Sequence, residues 1–223
     1  MKRKLLSPLF ICLLISCLFT SSNDSADVND SMKKEKLESL SKRLQSGSLK
    51  TAYFASGCFW CVEAIYESIR GVEEVISGYS GGEEKNPGYN QVSMGITSHA
   101  EAVEVIYDPK IVSFEILIRA YYASQNPTTV NGQHPDFGSQ YRSIIFYQSP
   151  QEKKMIEDYI SKLNKSQEYD LPIATEVLPY KKFWKAEEYH QDFEKRNPSH
   201  PYVKGVSIPR LRKFQAKFKE YLK

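Results

Sequence analysis

At Ala55 the hydrophobic period of the chain changes, and a glycine and two cysteines sit at the change. Thr51-Ala52-Tyr53-Phe54-Ala55 is a short apolar run that suits a strand, whereas Val62, Ile65, Tyr66 and Ile69 recur at helical spacing, with Gly71 placed to stop the helix. Strand must therefore become helix within Ser56-Gly57-Cys58-Phe59-Trp60-Cys61-Val62-Glu63, and Cys58 falls in the first turn. Unpaired backbone N–H groups and the positive end of the helix dipole favour a thiolate there. Cys61 follows one turn later. Phe59 and Trp60 lie between the cysteines, and since consecutive helical positions cannot both face inward, one of them should line a surface or cleft. The pattern implies a nucleophilic cysteine, a resolving cysteine and an aromatic pocket, and hence redox chemistry at sulfur.

The remaining composition narrows the alternatives. The 223 residues suffice for one domain with extensions, and a net charge of +3 gives no reason to expect nucleic acid. A secreted disulfide scaffold needs cysteines spread along the chain, but the other two, Cys12 and Cys17, lie in an apolar N-terminal stretch. A zinc site needs a second CxxC or a close histidine pair, which the spacing of His99, His134, His190 and His200 does not provide, so no metal is expected. Lys2-Arg3-Lys4 followed by Leu5 to Ile15 has the basic and apolar regions of an export signal, and the apolar run ends near Phe19, short for a membrane span. Leu14-Ile15-Ser16-Cys17 has the form of a bacterial lipobox. Residues 1–16 are thus expected to be a signal peptide and Cys17 an acylated N-terminus that anchors the chain to a membrane, facing the periplasm or the cell surface; plain secretion with an incidental cysteine is the alternative. Residues 17–48 read as a polar spacer (Thr20 to Ser31) and a short charged helix (Met32 to Gln45), 49–201 as the globular domain, and 202–223 as a basic tail. Seven cations against Glu220 give that tail +6 and leave −3 for the rest, which suits a solvated amphipathic helix.

Within the domain, strands are expected at Val72 to Tyr79, Asn90 to Met94, Ala102 to Tyr107, Arg142 to Tyr147 and Ile173 to Leu178. Helices are expected from Ser113 through Ala123, from the Ser149-Pro150-Gln151-Glu152 cap to about Leu163, and from Ala186 to Lys195. Gln125 to Gln140 reads as a long Pro/Gly/Asn-rich loop of the kind that often carries function. Strands and helices mix without a regular βαβ repeat. The expected class is therefore α+β, a two-layer sandwich with a mixed sheet flanked by helices.

Several ordered motifs point the same way. Gly57-Cys58-Phe59-Trp60-Cys61-Val62-Glu63, Gly78-Tyr79-Ser80-Gly81-Gly82, His99-Ala100-Glu101 ahead of Tyr107-Asp108-Pro109, Asp136-Phe137-Gly138-Ser139-Gln140-Tyr141-Arg142-Ser143 and Ala186-Glu187-Glu188-Tyr189-His190-Gln191 together resemble the peptide methionine sulfoxide reductase A family, over about Lys50 to Pro201. That resemblance implies reduction of the S-epimer of methionine sulfoxide, free or in proteins, as a repair of oxidative damage. It implies Cys58 as nucleophile on the sulfoxide sulfur and Glu101 as the acid for its oxygen. Tyr79 and Tyr141 become the hydroxyls that hold that oxygen, Asp136 a carboxylate that helps hold substrate and site, and Phe59 and Trp60 the walls around the substrate methyl group. Relatives with glycine in place of Cys61 resolve with distant C-terminal cysteines. No cysteine follows Cys61 here, so the resemblance implies a Cys58–Cys61 disulfide reopened by a thioredoxin-like protein, with no bound cofactor. Gln125-Asn126-Pro127-Thr128 departs from the His-Asp-Pro-Thr common in relatives.

Two other functions fit parts of the pattern. A general thiol–disulfide oxidoreductase shares the CxxC but has no use for Phe59-Trp60 or the Glu101 and tyrosine set. A surface lipoprotein that only binds has no use for Cys58. The chain carries no signal of an oligomer interface, and a monomer is expected.

Overall fold

The computed structural model describes residues 24–223, so the expected export signal and Cys17 lie outside the described residues. The chain divides into two units, Met1–Lys42 and Arg43–Lys223. The described part of the first is helix α1 (Asp24–Gln45), whose last residues belong to the second. This helix starts eight residues before the expected Met32, because no glycine or proline interrupts the chain from Asp24 to Gln45. It stops at Gly47, whose φ of +72° lets its N–H fold back onto the Leu44 carbonyl at 3.0 Å.

The second unit is built on a six-stranded sheet in the order β7-β6-β1-β3-β2-β8. Its strands are β1 (Lys50–Ala55), β2 (Val72–Ser80), β3 (Ala100–Tyr107), β6 (Ile144–Tyr147), β7 (Glu176–Pro179) and β8 (Phe183–Lys185). All neighbours are antiparallel except β6 and β7. A small hairpin, β4 (Gly132–Gln133) with β5 (Asp136–Phe137), stands apart from the sheet inside the long loop. The helices are α2 (Phe59–Glu67), α3 (Tyr89–Ser93), α4 (Phe114–Ala123), α5 (Pro150–Ser166), α6 (Phe193–Arg196) and α7 (Ile208–Lys217). The expected caps are present: Ser113 Oγ accepts from Ile116 N–H, and Ser149 Oγ from Glu152 N–H.

The period-two pattern of β1 divides two cores. Ala52 and Phe54 join Val75, Val103 and Val105 under α2 and α4, through Val62, Ile65, Tyr66, Leu117 and Ile118. Tyr53 and Ala55 turn the other way and pack with Ala102, Ile144 and Phe146. This is the α+β mixed sheet flanked by helices that the sequence implied.

Three local expectations fail. Asn90 to Met94 alternates in hydrophobicity but lies in α3, because the Gly88 N–H is met by Gln91 Oε1 at 3.1 Å and the Gly88 carbonyl accepts from Val92 N–H. The single helix expected from Ala186 to Lys195 is a 3₁₀ turn (Glu188–His190) and the short α6, separated by Asp192 at φ +52°. The basic tail is part of the core: Val203, Phe214 and Phe218 are buried, the latter two in the same cluster as Cys58. Fully burying each such side chain contributes roughly 1.5–3 kcal/mol, far more than mutual repulsion of screened surface cations removes. The boundary expected at 201 therefore does not divide the fold.

Candidate active site

The strand-to-helix junction is made by Gly57. Its φ is +80°, and a Cβ there would stand 2.8 Å from Gln133 Cβ, so the turn excludes any side chain. Its N–H donates to the Tyr141 carbonyl at 3.1 Å, while Gln133 closes the base of the long loop by accepting from Asn126 N–H and donating to the Asn126 carbonyl. Through these contacts the hairpin bearing Asp136 and the 3₁₀ turn bearing Tyr141 are set against Cys58.

Cys58 is the N-cap residue of α2, and Cys61 is the third residue of that helix; both are buried, at 6% and 1% exposure. Glu101 projects from β3 toward the helix start, where its Oε2 accepts the Phe59 N–H at 3.0 Å. Glu101 is itself buried, and burial raises its carboxyl to about 8, with the charge of Asp136 adding to the effect. At neutral pH it is therefore an acid with a proton to give. Its Oε1 takes no hydrogen bond from the described residues, which leaves that proton facing the site.

The sequence implied a thiolate at Cys58, stabilised by the helix start. The structure instead buries that sulfur. No side-chain cap bond reaches the Cys58 sulfur, and the first helical N–H is already taken by Glu101. Burial and the hydrogen bond with Cys61 hold the Cys58 thiol well above its usual range, and the Glu101 charge acts in the same direction. That same hydrogen bond draws Cys61 down to about 6 against its own burial, helped by Arg210 and Ser207. The hydrogen bond between the two thiols thus acts in opposite directions on them, raising Cys58 and lowering Cys61.

Tyr79 lies directly opposite Glu101 in the β2–β3 register, with its ring 5.9 Å from Phe59. Its hydroxyl, however, donates to Glu187 Oε2 at 2.9 Å. The hydroxyl that faces the site beside Tyr141 is that of Tyr89, which the sequence reading left out. Burial and then the charges of Glu101 and Cys58 raise Tyr89 to about 12, and the same three causes raise Tyr141. The Tyr89 N–H donates to the second oxygen of Glu187 at 2.9 Å, so one carboxylate clamps Tyr79 and the start of α3 together. The signal for Tyr89 was weak: it sits in the short α3, which the sequence pattern presented as a strand.

Phe59 is buried and Trp60 half-buried, as expected of consecutive helical positions. Trp60 stacks on Phe193 at 3.7 Å between ring centroids, meets Tyr202 edge-on at 5.8 Å, and donates its indole N–H to His190 Nδ1 at 3.1 Å. Burial lowers His190 to about 4, so the imidazole is neutral and Nε2 carries its proton. Asp136 is half-buried, and its Oδ2 accepts the Tyr202 hydroxyl at 2.5 Å. Outside the cage, Glu63, Glu67 and Asp192 bring carboxylate oxygens together at a spacing that suits a cation. Lys195 Nζ already meets that charge, at 2.7 Å from Glu67 and 2.9 Å from Asp192.

A thiol pair, a protonated buried carboxyl and two raised tyrosine hydroxyls facing an aromatic cage define a thiol-dependent reductase of a small sulfur–oxygen group. The family model for peptide methionine sulfoxide reductase matches residues 50–222, and the chain belongs to that family. It is 48% identical over 173 residues to peptide methionine sulfoxide reductase MsrA 2 of Synechocystis sp., covering 77% of this chain and 81% of that one. The solved structure of reduced Mxr1 from Saccharomyces cerevisiae superposes with a TM-score of 0.65 at 33% identity, over 69% of this chain and 88% of that one. Methionine sulfoxide reductase A of Corynebacterium diphtheriae gives 0.62 at 33% identity, over 69% and 77%. The chain is an oxidoreductase that reduces methionine sulfoxide.

Proposed function

We propose that the chain reduces the S-epimer of methionine sulfoxide, free and in oxidised proteins, with Cys58 as nucleophile, Glu101 as acid and Cys61 as resolver. The observation that carries this reading is the buried Glu101 carboxyl, raised to about 8 and anchored by the Phe59 N–H beside Cys58. A thioether methyl fits between Phe59 and Trp60, and the sulfoxide oxygen accepts from Tyr89 and Tyr141. The Cys58 proton passes to Cys61, Glu101 protonates the oxygen, and the Cys58 thiolate attacks the sulfur. Methionine leaves, two electrons richer, and Cys58 is left as a sulfenic acid. Cys61, having lost its proton, attacks that sulfur; the S–S bond forms, the S–O bond breaks, and the oxygen leaves as water. Solvent returns the proton to Glu101, and a thioredoxin-like dithiol reduces the disulfide. All the groups used come from one chain, so the reading needs no second copy.

The test offers the separated S and R epimers to the reduced protein in single turnover, without added reductant. The S-epimer alone should yield methionine, one equivalent per chain, together with a Cys58–Cys61 disulfide seen by mass spectrometry. Cys61→Ser should still give that one equivalent and then stall with thioredoxin as donor. Turnover of the R-epimer at a comparable rate would overturn the reading.

The compartment belongs to the same proposal. The basic and apolar segments ahead of Ser16-Cys17 support export and acylation at Cys17, which would place the repair outside the cytoplasm. A fatty-acid analogue fed to expressing bacteria should label the chain and fail to label Cys17→Ser; equal labelling of both refutes the anchor.

A further inference from the structure

Cys61 sits in a pocket that α2 does not make alone. The chain after Tyr202 runs through a five-residue π turn, Val203–Ser207, directly into α7, and the end of that turn brings Ser207 against Cys61. Ser207 is fully buried, and its Oγ lies 3.0 Å from Cys61 Sγ. A buried hydroxyl without a partner is costly, and among the described residues this sulfur is the partner the structure gives it. A second hydroxyl, that of Tyr202, lies 3.8 Å from the same sulfur, but its proton is committed to Asp136. Of the two hydroxyls, Ser207 is the one with a proton to spare.

The placement is held from behind. Arg210, one turn further along, donates Nε to the Ser124 carbonyl at 2.9 Å and Nη2 to the Ser56 carbonyl at 3.0 Å. Ser56 stands two residues before Cys58, so the clamp that fixes Ser207 also fixes the start of the catalytic turn. Arg210 further sets a cation near Cys61 in a site otherwise lined by acids.

We propose that Ser207 is a positioning residue for the resolving thiol: its hydroxyl donates to Cys61 Sγ and holds it as the anion that attacks the Cys58 sulfenic acid. This rests on the reading of Cys61 as resolver. The groups facing Cys61 are Cys58 on its own helix, Arg210 on α7, Tyr202 and its partner Asp136, Glu101 on β3, and Glu194 on α6. Glu101 and Glu194 disfavour the anion, Arg210 and the Cys58 thiol favour it, and the serine hydroxyl adds to the favourable side. A hydrogen bond to a charged acceptor is strong enough to move such a titration by about one pH unit.

The experiment follows Trp60 fluorescence by stopped flow after mixing reduced protein with one equivalent of methionine sulfoxide, across pH 5 to 9. Mass spectrometry of quenched samples separates sulfenic acid from disulfide. For wild type, disulfide formation should rise with pH through a midpoint set by Cys61 giving up its proton. Ser207→Ala should move that midpoint up by about one unit, and Ser207→Thr, which restores the hydroxyl, should return it toward wild type. If Ala does not fold, Ser207→Gly removes the same hydroxyl without adding volume and carries the same expectation. A rate lowered equally at every pH, or a midpoint unmoved, overturns the role of Ser207 and leaves Cys61 as resolver. If wild type forms no Cys58–Cys61 disulfide, both readings fall together.

Discussion

Cys58→Ser should leave a folded protein that forms no methionine from either epimer of the sulfoxide, a fall on the order of 10⁴-fold or more. The size of the effect follows from the chemistry of the position. Serine keeps the volume and the N-cap, but its hydroxyl neither ionises near neutral pH nor accepts the oxygen atom as sulfur does. Circular dichroism should match wild type, since no side-chain hydrogen bond from residue 58 holds the helix start. Single-turnover formation of methionine is the measurement. Residual turnover within tenfold of wild type would place the first attack at Cys61.

The second large effect concerns Glu101. Glu101→Gln retains an oxygen for the Phe59 N–H and nearly the same volume, so the turn at Cys58 should survive. What it removes is the transferable proton, and general acid catalysis of this kind is worth about 10² to 10⁴ in rate. Single-turnover reduction by wild type should fall above a midpoint near 8, as the carboxyl raised by burial gives up its proton. The sign is that of an acid: the active form is the protonated one, present below the folded-state midpoint and lost above it. Glu101→Gln should be slow at every pH and lack that alkaline limb. A variant that kept the limb would move the titrating group elsewhere, with the Cys58 thiol as the neighbour in question. The same carboxyl acts on stability in the opposite sense to a salt-bridged one. Between the ordinary carboxylate range and about 8 only the unfolded chain releases the proton, so Glu101 removes stability as pH rises through that window, by up to about 1.4 kcal/mol per pH unit.

Much of this site was legible because its chemistry is local. Gly57, Cys58, Phe59, Trp60 and Cys61 are consecutive, and the change of period around them announces a strand-to-helix turn in the sequence itself. Glu101 and Asp136 could be placed by motif, but nothing in an alternating strand reveals that a glutamate faces inward; the pairing of β3 between β1 and β2 does that. Tyr79 and Tyr89 show the limit. Both are near the site, and which hydroxyl is free depends on Glu187, about a hundred residues away along the chain. The tail failed for a related reason. Its charge count is a property of the surface face of α7, whereas Phe214 and Phe218 bury the other face, and Ser207 and Arg210 reach the thiols through a π turn that has no composition signature. The burial of the thiol pair was unreadable too, since it depends on how the distant tail packs against Cys61.

The contacts that shape Cys61 have a consequence for how the protein is made. Its sulfur meets Ser207 across a sequence separation of 146, and Trp60 meets His190 across 130. During synthesis the two cysteines leave the ribosome long before the residues that tune them, so a nascent chain carries an ordinary CxxC, not a reductase. Its tuned thiols therefore require the C-terminal residues to be in place. A chain that passes unfolded through a membrane pore would cross it with unremarkable thiols and become reactive only on the far side, once residues 202–223 had docked.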